Sequence, residues 1–387
     1  MKRKTKKLKV LLVVRWPVGG IRTFMRYFYR NFDAERWEFT ILAPDLDELR
    51  ALMDDLAGLH VNIVPVKGMA TDGSSGVWKM FRGVAGQVIK GKFDLVHSHG
   101  FTSGMCAAVP AFLRSTPHLM TSHDILNERQ FAGARGVIKK MFMRLLFGMI
   151  DSIHSVSYDA QRNLLSNFPG LNTGKCFTIP NGIEMERFEN AKPRDVRGEL
   201  GVGGDVFLIG FLGRFMAQKG FSYLVDAIEI LSRDQALARN FSVVSFGDGG
   251  FIREEKEAIK ARNLDRYFSF MPFVANVAGT IKGLDVVAMP SLWEACGLLA
   301  METLVSGTPL IGTDCIGLRE VLKFTPARIV SPKDGKDLAL AIKREMEHPS
   351  KAEALAFQNE AAVRFDVRKR AVELEGLYKR IVQSRDE

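Results

Sequence analysis

Hydrophobic and polar positions along the chain alternate between short apolar runs and longer amphipathic stretches. Apolar runs at residues 9–14, 37–43, 61–66, 94–99, 119–124, 153–157 and 175–179 have the length and composition of buried strands. Between them lie helix-type stretches: one around Phe24, Tyr27 and Phe28, then 48–56, 77–92 and 137–150. The alternation resumes with strands at 207–212, 243–246, 267–270, 285–289 and 310–313 and helices at 221–231 and 297–305. Strand and helix repeated in this way predict doubly wound parallel sheets, an α/β fold. The final stretch, 352–385, reads as helical, with Ala361, Phe365, Val372, Leu374, Leu377 and Tyr378 as its apolar set.

The two sets of strands are separated by Pro180-Asn181-Gly182-Ile183, which predicts a turn, and by a polar, glycine-rich stretch at 189–205. A length of 387 residues suffices for two cores, so residues 1–188 and 189–360 are read as two domains. Hydrophobic content of 47% with 25% charged residues is that of a soluble globular protein. Cys106, Cys176, Cys296 and Cys315 show no C-x-x-C pairing, which argues against a disulfide framework or zinc ribbon and fits a reducing compartment. No apolar stretch is long enough to span a membrane and no signal peptide is visible, so a cytoplasmic protein is expected.

The net charge of +10 calls for an anionic partner or a membrane surface. Part of it is a basic N-terminal arm of Lys2, Arg3, Lys4, Lys6, Lys7 and Lys9. No helix-turn-helix, zinc-finger or RNP pattern accompanies it, so no nucleic-acid partner is expected. Residues 77–92 mix Trp78, Phe81, Val84 and Ile89 with Lys79, Arg82, Lys90 and Lys92; residues 137–150 mix Lys139, Lys140 and Arg144 with Met141, Phe142, Leu145, Leu146 and Phe147. Such helices either lie in an anionic lipid headgroup layer or pack on a core with a basic outer face. Gly83, Gly86 and Gly91 argue against a long rigid helix in the first.

The densest chemistry lies in residues 285–320. A strand there ends at Pro290-Ser291, Glu294 sits in a short loop, and a helix starts near Gly297. Amides at Gly297, Leu298 and Leu299 lack partners within the helix and carry its positive end, suiting an anion or sugar oxygens. Glu302 follows on the helix, and two carboxylates so placed suit two sets of vicinal hydroxyls, although a solvated acidic face gives the same spacing. Earlier, Gly213-Arg214-Phe215 ends a strand with Lys219-Gly220 close behind, two cations placed to neutralise a diphosphate. Gly19-Gly20 separate the first strand from the first helix, where a ligand can approach the backbone. His97 and His99 lie on one face of a strand, where they can bind a metal with His123 as a third ligand. His123 ends the next strand, where doubly wound folds bind ligands, or is structural and bonded to Asp124. Asp45-Leu46-Asp47 matches a metal-binding Asp-x-Asp, but acidic residues opening a helix also cap it, and capping is the preferred reading.

Pro-Ser-x-x-Glu-x-x-Gly-x-x-x-x-Glu at 290–302, followed by Ser-Gly-x-Pro and Gly-x-x-Glu, resembles the donor-site signature of retaining glycosyltransferases of the GT4 family. Gly-Arg-x-x-x-x-Lys-Gly at 213–220, the Gly-Gly loop, Val-His-x-His at 96–99 and Ile-Pro-Asn-Gly-Ile at 179–183 are similar to the same family. The resemblance implies a GT-B fold, two Rossmann-like domains facing across a cleft that holds the donor, with residues 361–387 returning as a helix to the N-terminal domain. It implies that Glu294 approaches the donor sugar, Glu302 binds the ribose, Arg214 and Lys219 bind the diphosphate, Gly19 and Gly20 lie beside its phosphates, and His123 lies near the transferred sugar. It also implies no metal at His97 and His99, one of them buried and the other facing the cleft. Backbone near Phe273 and Val274 would hold the base; Pro272 stands where the family usually has glycine, which leaves the choice among UDP, GDP and ADP open.

The expectation is therefore a hexosyltransferase-type enzyme moving a sugar from a nucleotide diphosphate sugar, with no cofactor or metal, to a glycan or lipid-linked hydroxyl. A lipid-linked or envelope polysaccharide precursor fits the basic helices, which imply peripheral contact with anionic lipid at the inner face of the cytoplasmic membrane. The alternatives are a nucleotide-sugar epimerase of the same fold, or an inactive protein that binds membrane or nucleic acid.

Overall fold

A computed structural model describes residues 7–69, 74–237, 239–272, 274 and 276–384. Lys2, Arg3, Lys4, Lys6 and Phe273 lie outside the described residues. The chain forms two compact units, residues 1–182 with 367–387, and residues 183–366. The division falls after Gly182, ahead of the expected boundary at 188, because the Met185–Glu189 helix packs on helices of the second unit. The second crossing falls at 366 and not 360.

In the first unit β1 (Leu8–Val14), β2 (Trp37–Pro44), β3 (Val61–Val66), β4 (Leu95–His99), β5 (His118–Ser122), β6 (Ser152–Ser155) and β7 (Cys176–Thr178) form a seven-stranded sheet in the order β3-β2-β1-β4-β5-β6-β7 among the described residues. Every pairing is parallel, with Val14 opposite His99 and Ser98 opposite Met120. The strand order reverses between β1 and β4. Doubly wound sheets bind ligands beyond the carboxyl ends of the strands at such a reversal.

The second unit repeats the plan with β8 (Phe207–Leu212), β9 (Phe241–Phe246), β10 (Phe268–Met271), β11 (Val286–Met289), β12 (Leu310–Thr313) and β13 (Arg328–Val330) in the order β10-β9-β8-β11-β12-β13. Here the reversal lies between β8 and β11, and these strands bear the Arg214–Lys219 and Glu294 loops at their carboxyl ends. The inner strands β1, β4, β5, β8, β9, β11 and β12 are buried along nearly their whole length, which explains why they read as unbroken apolar runs rather than alternating ones.

Several local expectations are corrected. The stretch 352–385 is two helices, Lys351–Arg364 and Val367–Gln383, and the chain changes unit between them; Val372 is exposed while Leu374, Leu377 and Tyr378 are buried. Residues 180–182 form no turn: Ile183 pairs in parallel with Asp366, its amide donating to Phe365 O at 2.8 Å. Helix Ser74–Lys90 is continuous despite its glycines, since a Cβ at Gly83 would stand 3.3 Å from Leu42, so glycine there sets a close approach to the sheet. Asp45 and Asp47 are not side-chain caps: Leu46 is the N-cap residue of helix Asp47–Asp55, and Asp47 with Glu48 occupies its first turn.

The two basic, apolar helices differ. Ser74–Lys90 buries Met80, Val84 and Val88 in a core with Leu42, Val96 and Ala107, and leaves Trp78 and Ile89 exposed. Gly133–Gly148 buries Met143, Leu146 and Phe147 but exposes Val137, Ile138, Met141, Phe142 and Leu145. Among the described residues, no helix is long and apolar enough to cross a membrane.

Candidate active site

The second unit joins its β8 and β11 loops tightly. Leu292 N donates to Gln218 O at 2.8 Å, and Gln218 Nε2 returns to Trp293 O at 2.9 Å. Gly220 permits this approach: its φ is +64° and a Cβ would lie 2.1 Å from Pro290 O. Gly317, with φ +79°, does the same on the other side, where a Cβ would lie 1.8 Å from Glu294 O. The Glu294 amide donates to Ile316 O at 2.9 Å, so the glutamate's backbone is clamped between two loops.

These clamps bring Lys219 Nζ to 2.7 Å from Glu294 Oε1, and Ser291 Oγ donates to the same oxygen at 2.8 Å. Glu294 is only 7% exposed, and the ammonium offsets the cost of burying its charge. The resemblance places the two side chains on different parts of a donor; the structure makes them partners. The second oxygen of Glu294 and the remaining protons of Lys219 have no partner among the described residues, so the pair can still grip a hydroxyl and an anion. Arg214, beside the pair in sequence, is exposed and makes no hydrogen bond or ion pair among the described residues.

The helix after Glu294 runs Leu298–Val305 with Gly297 as its N-cap residue. Its Leu298 amide is turned onto Cys296 O at 2.8 Å, so of the three expected amides only those of Gly297 and Leu299 stay without a bond among the described residues. Glu302 lies one turn inside and is 9% exposed. Val274 is half-buried between β10 and the next helix. A cavity of about 470 Å³ opens at the amino ends of β8, β11 and β12, against Phe207, Asp285 and Pro309, away from these residues.

In the first unit Gly19 and Gly20 are the first two residues of helix Gly19–Tyr29, not a loop before it, and both are exposed with open space around them. No acidic side chain stands in that first turn, so the helix end keeps its positive potential. His123, just past β5, is half-buried; Phe24 meets its ring edge-on at 4.8 Å. Its Nε2 is 2.9 Å from His99 Nδ1, and His99 Nε2 is 2.8 Å from the Tyr29 hydroxyl.

His97 and His99 do lie side by side, ring centroids 4.2 Å apart, but both are buried, at 0% and 1% exposure. The expectation that one of them is buried and the other faces a cleft is thus overturned. Tyr29 and Tyr378 fill the space beside them, Tyr378 arriving on the last helix. Burial holds His99 down at about 3 and His154 at about 4, and burial with neighbouring histidines puts His97 and His123 well below the usual range. Among the described residues no group of three His, Cys, Asp or Glu side chains is placed to hold a metal ion.

Two family models match. Residues 18–187 match Glycosyltransferase Family 4, and residues 206–348 match Glycosyl transferases group 1. This chain is a family 4 glycosyltransferase. Its curated relatives include the putative glycosyltransferase EpsF of Bacillus subtilis, 24% identical over 302 residues covering 77% of each chain. The D-inositol 3-phosphate glycosyltransferase of Kineococcus radiotolerans is 29% identical over 280 residues, 67% of this chain and 64% of that one. Among solved structures, HepE of Anabaena in complex with UDP and glucose superposes with a TM-score of 0.80 at 19% identity, covering 96% of this chain and 99% of that one. WaaG, a glycosyltransferase involved in lipopolysaccharide biosynthesis, gives 0.73 at 14% identity, covering 95% and 99%. The fold is GT-B.

Sequence reasoning missed three parts of this glycosyltransferase's candidate site: Ser291 as a partner of Glu294, the clamp made by Gly317, and the Tyr29–His99 contact behind His123. Ser291 and Gly317 stand inside the quoted signature and were legible as residues, though not as contacts. Tyr29 carried no signal of its own.

Proposed function

We propose that this glycosyltransferase retains configuration and moves a hexose from UDP to a hydroxyl of a lipid-linked or envelope polysaccharide precursor. The observation that carries the donor site is the Lys219–Glu294–Ser291 cluster at the β8/β11 reversal, beside the start of helix Leu298–Val305. The HepE complexes with UDP support the base, and the envelope-related role of WaaG supports the acceptor class.

In this reading Arg214 and Lys219 offset the charge growing on the departing diphosphate, assisted by amides at Gly19 and Gly20. Glu294 accepts from sugar hydroxyls and Glu302 from the ribose, while the Gly297 and Leu299 amides steady sugar oxygens. His123 bonds the transferred sugar, and Phe273 and Val274 hold the base. The acceptor oxygen bonds the anomeric carbon from the leaving-group face as the bond to the diphosphate breaks, and a diphosphate oxygen takes the acceptor's proton. Side-chain cations and a helix end do the work of a divalent metal in this scheme.

The exposed stripe on helix Gly133–Gly148 favours a membrane-held acceptor. At about 100° per residue, Val137, Ile138, Met141, Phe142 and Leu145 share an arc of about 140°. Arg135 and Lys139 flank one side of that arc, and Lys140 and Arg144 the other. An apolar band between cations suits an anionic headgroup layer, and this surface would place the enzyme peripherally on the cytoplasmic face.

Calorimetric titration with UDP, GDP and ADP without divalent metal, on the native chain and on Arg214→Ala and Glu302→Ala, tests the donor site. UDP alone is expected to bind, weakened by both changes; binding of none would remove the proposal. With a UDP-sugar, release of UDP only when acceptor is present distinguishes transfer from epimerisation.

A further inference from the structure

We propose that a buried chain of hydrogen bonds, anchored on the Ile179 carbonyl, fixes His123 as the Nε2–H tautomer and leaves its Nδ1 as a bare acceptor facing the ligand. The inference rests on the reading of His123 as a sugar contact and specifies what that contact can be.

The chain is solved from one end. His154 Nε2 is 2.9 Å from Ile179 O, and a carbonyl only accepts, so this nitrogen carries the proton and Nδ1 is bare in a neutral ring. Thr121 Oγ1, 2.9 Å from that Nδ1, must donate to it. Its single proton spent, Thr121 accepts from His97 Nε2 at 2.6 Å, which leaves His97 Nδ1 bare.

The next step is a count of protons. Tyr29 and Tyr378 hydroxyls lie 3.1 Å apart, both reach His97 Nδ1, and Tyr29 is also 2.8 Å from His99 Nε2. If Tyr29 donated to His99, only the Tyr378 proton would remain for three mutual contacts, and two would set lone pair against lone pair. If His99 Nε2 carries a proton and donates to Tyr29, three of the four contacts are made. His99 Nδ1 is then bare, and His123 Nε2, 2.9 Å away, must donate to it. Burial keeps all four rings neutral near pH 7.

His123 Nδ1, without a partner among the described residues, therefore accepts. It suits a sugar hydroxyl and is unsuited to a diphosphate or ring oxygen, which has no proton to give. Tyr29 and His99 are positioning residues. Tyr378 is redundant for the tautomer, because without it Tyr29 can still donate to His97.

The test is long-range proton–nitrogen correlation NMR on the full chain labelled with ¹⁵N-histidine at pH 7.5, assigned through single His→Gln variants. His123 is expected to show a protonated Nε2 and a bare Nδ1; a protonated Nδ1 overturns the relay. Tyr29→Phe is expected to mix the His99 and His123 tautomers and lower kcat about tenfold, the effect of one lost hydrogen bond. In Tyr378→Phe the tautomers stay as they are, and identical spectra from both variants would overturn the assignment. Full transfer by His123→Ala would remove the sugar contact, while the spectra alone decide the relay.

Discussion

At the scale of single residues, the candidate site is held in tension by a pair that exists before any ligand arrives. Lys219 is bonded to Glu294, so freeing it should strengthen its grip on a diphosphate while removing the group that orients the sugar. Glu294→Gln is accordingly expected to lower transfer about 100-fold, the scale of breaking a buried ion pair, and to tighten UDP binding. Calorimetry and kcat on the same preparation check this; weaker UDP binding would mean that Glu294 serves the nucleotide instead. Ser291→Ala removes one hydrogen bond to a charged group, about 1.5 kcal/mol, and should lower transfer about tenfold. The buried histidines set a pH dependence of stability. Their folded-state values are depressed, to about 3 for His99 and His118 and about 4 for His154, so the unfolded chain binds protons more readily below about 6.5. Stability is full above about 6.5 and is lost as pH falls toward the folded values, by about 1.4 kcal/mol per pH unit for each ring. Urea midpoints at pH 7.5 and 5.5 should differ clearly, and equal midpoints would contradict the buried, neutral assignment.

Elements decide which of these residues meet. The strands were legible as apolar runs and the motifs as local strings, because both are written in neighbouring residues. The Lys219–Glu294 contact was not, because it spans 75 positions and depends on β8 lying beside β11. The histidine network was hidden for the same reason: Tyr29 and Tyr378 are 349 positions apart. Glycine makes the loop approach possible, and this is testable. Gly317→Ala combines a positive φ with a Cβ 1.8 Å from Glu294 O, so it should displace the glutamate loop and abolish most transfer. Gly376→Ala lies inside the last helix with open space around its Cβ and should raise stability by about 0.5–1 kcal/mol. Equal effects of the two on activity would sink the clamp argument. Helix Gly133–Gly148 makes the other element-scale prediction. Phe142→Asp and Ile138→Asp remove apolar area from an exposed stripe, so vesicles rich in anionic lipid should lose the protein while the unfolding midpoint in solution stays unchanged. Retained sedimentation with the double variant would discard the membrane surface.

The chain as a whole is built asymmetrically, one unit from continuous sequence and the other from both ends. Residues 183–366 enter and leave the second unit once, whereas the first unit needs residues 367–387 to complete it. That return is substantial. Tyr378 is fully buried, with the Trp37 and Phe32 rings at 5.4 and 5.5 Å, and Trp37 Nε1 donates to Glu375 at 3.1 Å. Leu374, Leu377 and Ile381 are buried beside it. At about 1.5–3 kcal/mol for each large side chain, their removal costs on the order of 10 kcal/mol, comparable with the whole stability of a domain. Residues 1–182 alone should therefore fail to fold: no cooperative urea transition is expected, and the exposed face around Trp37 should bind a hydrophobic dye. Residues 183–366 alone should unfold in one cooperative step and, carrying Arg214, Lys219, Glu294 and Glu302, should keep measurable affinity for UDP. A cooperative transition in the 1–182 fragment would show that the last helix is an accessory to the first unit. If instead 183–366 folds but does not bind UDP, the nucleotide must draw much of its affinity from the other unit, and the glycine pair at residues 19 and 20 becomes the first place to mutate.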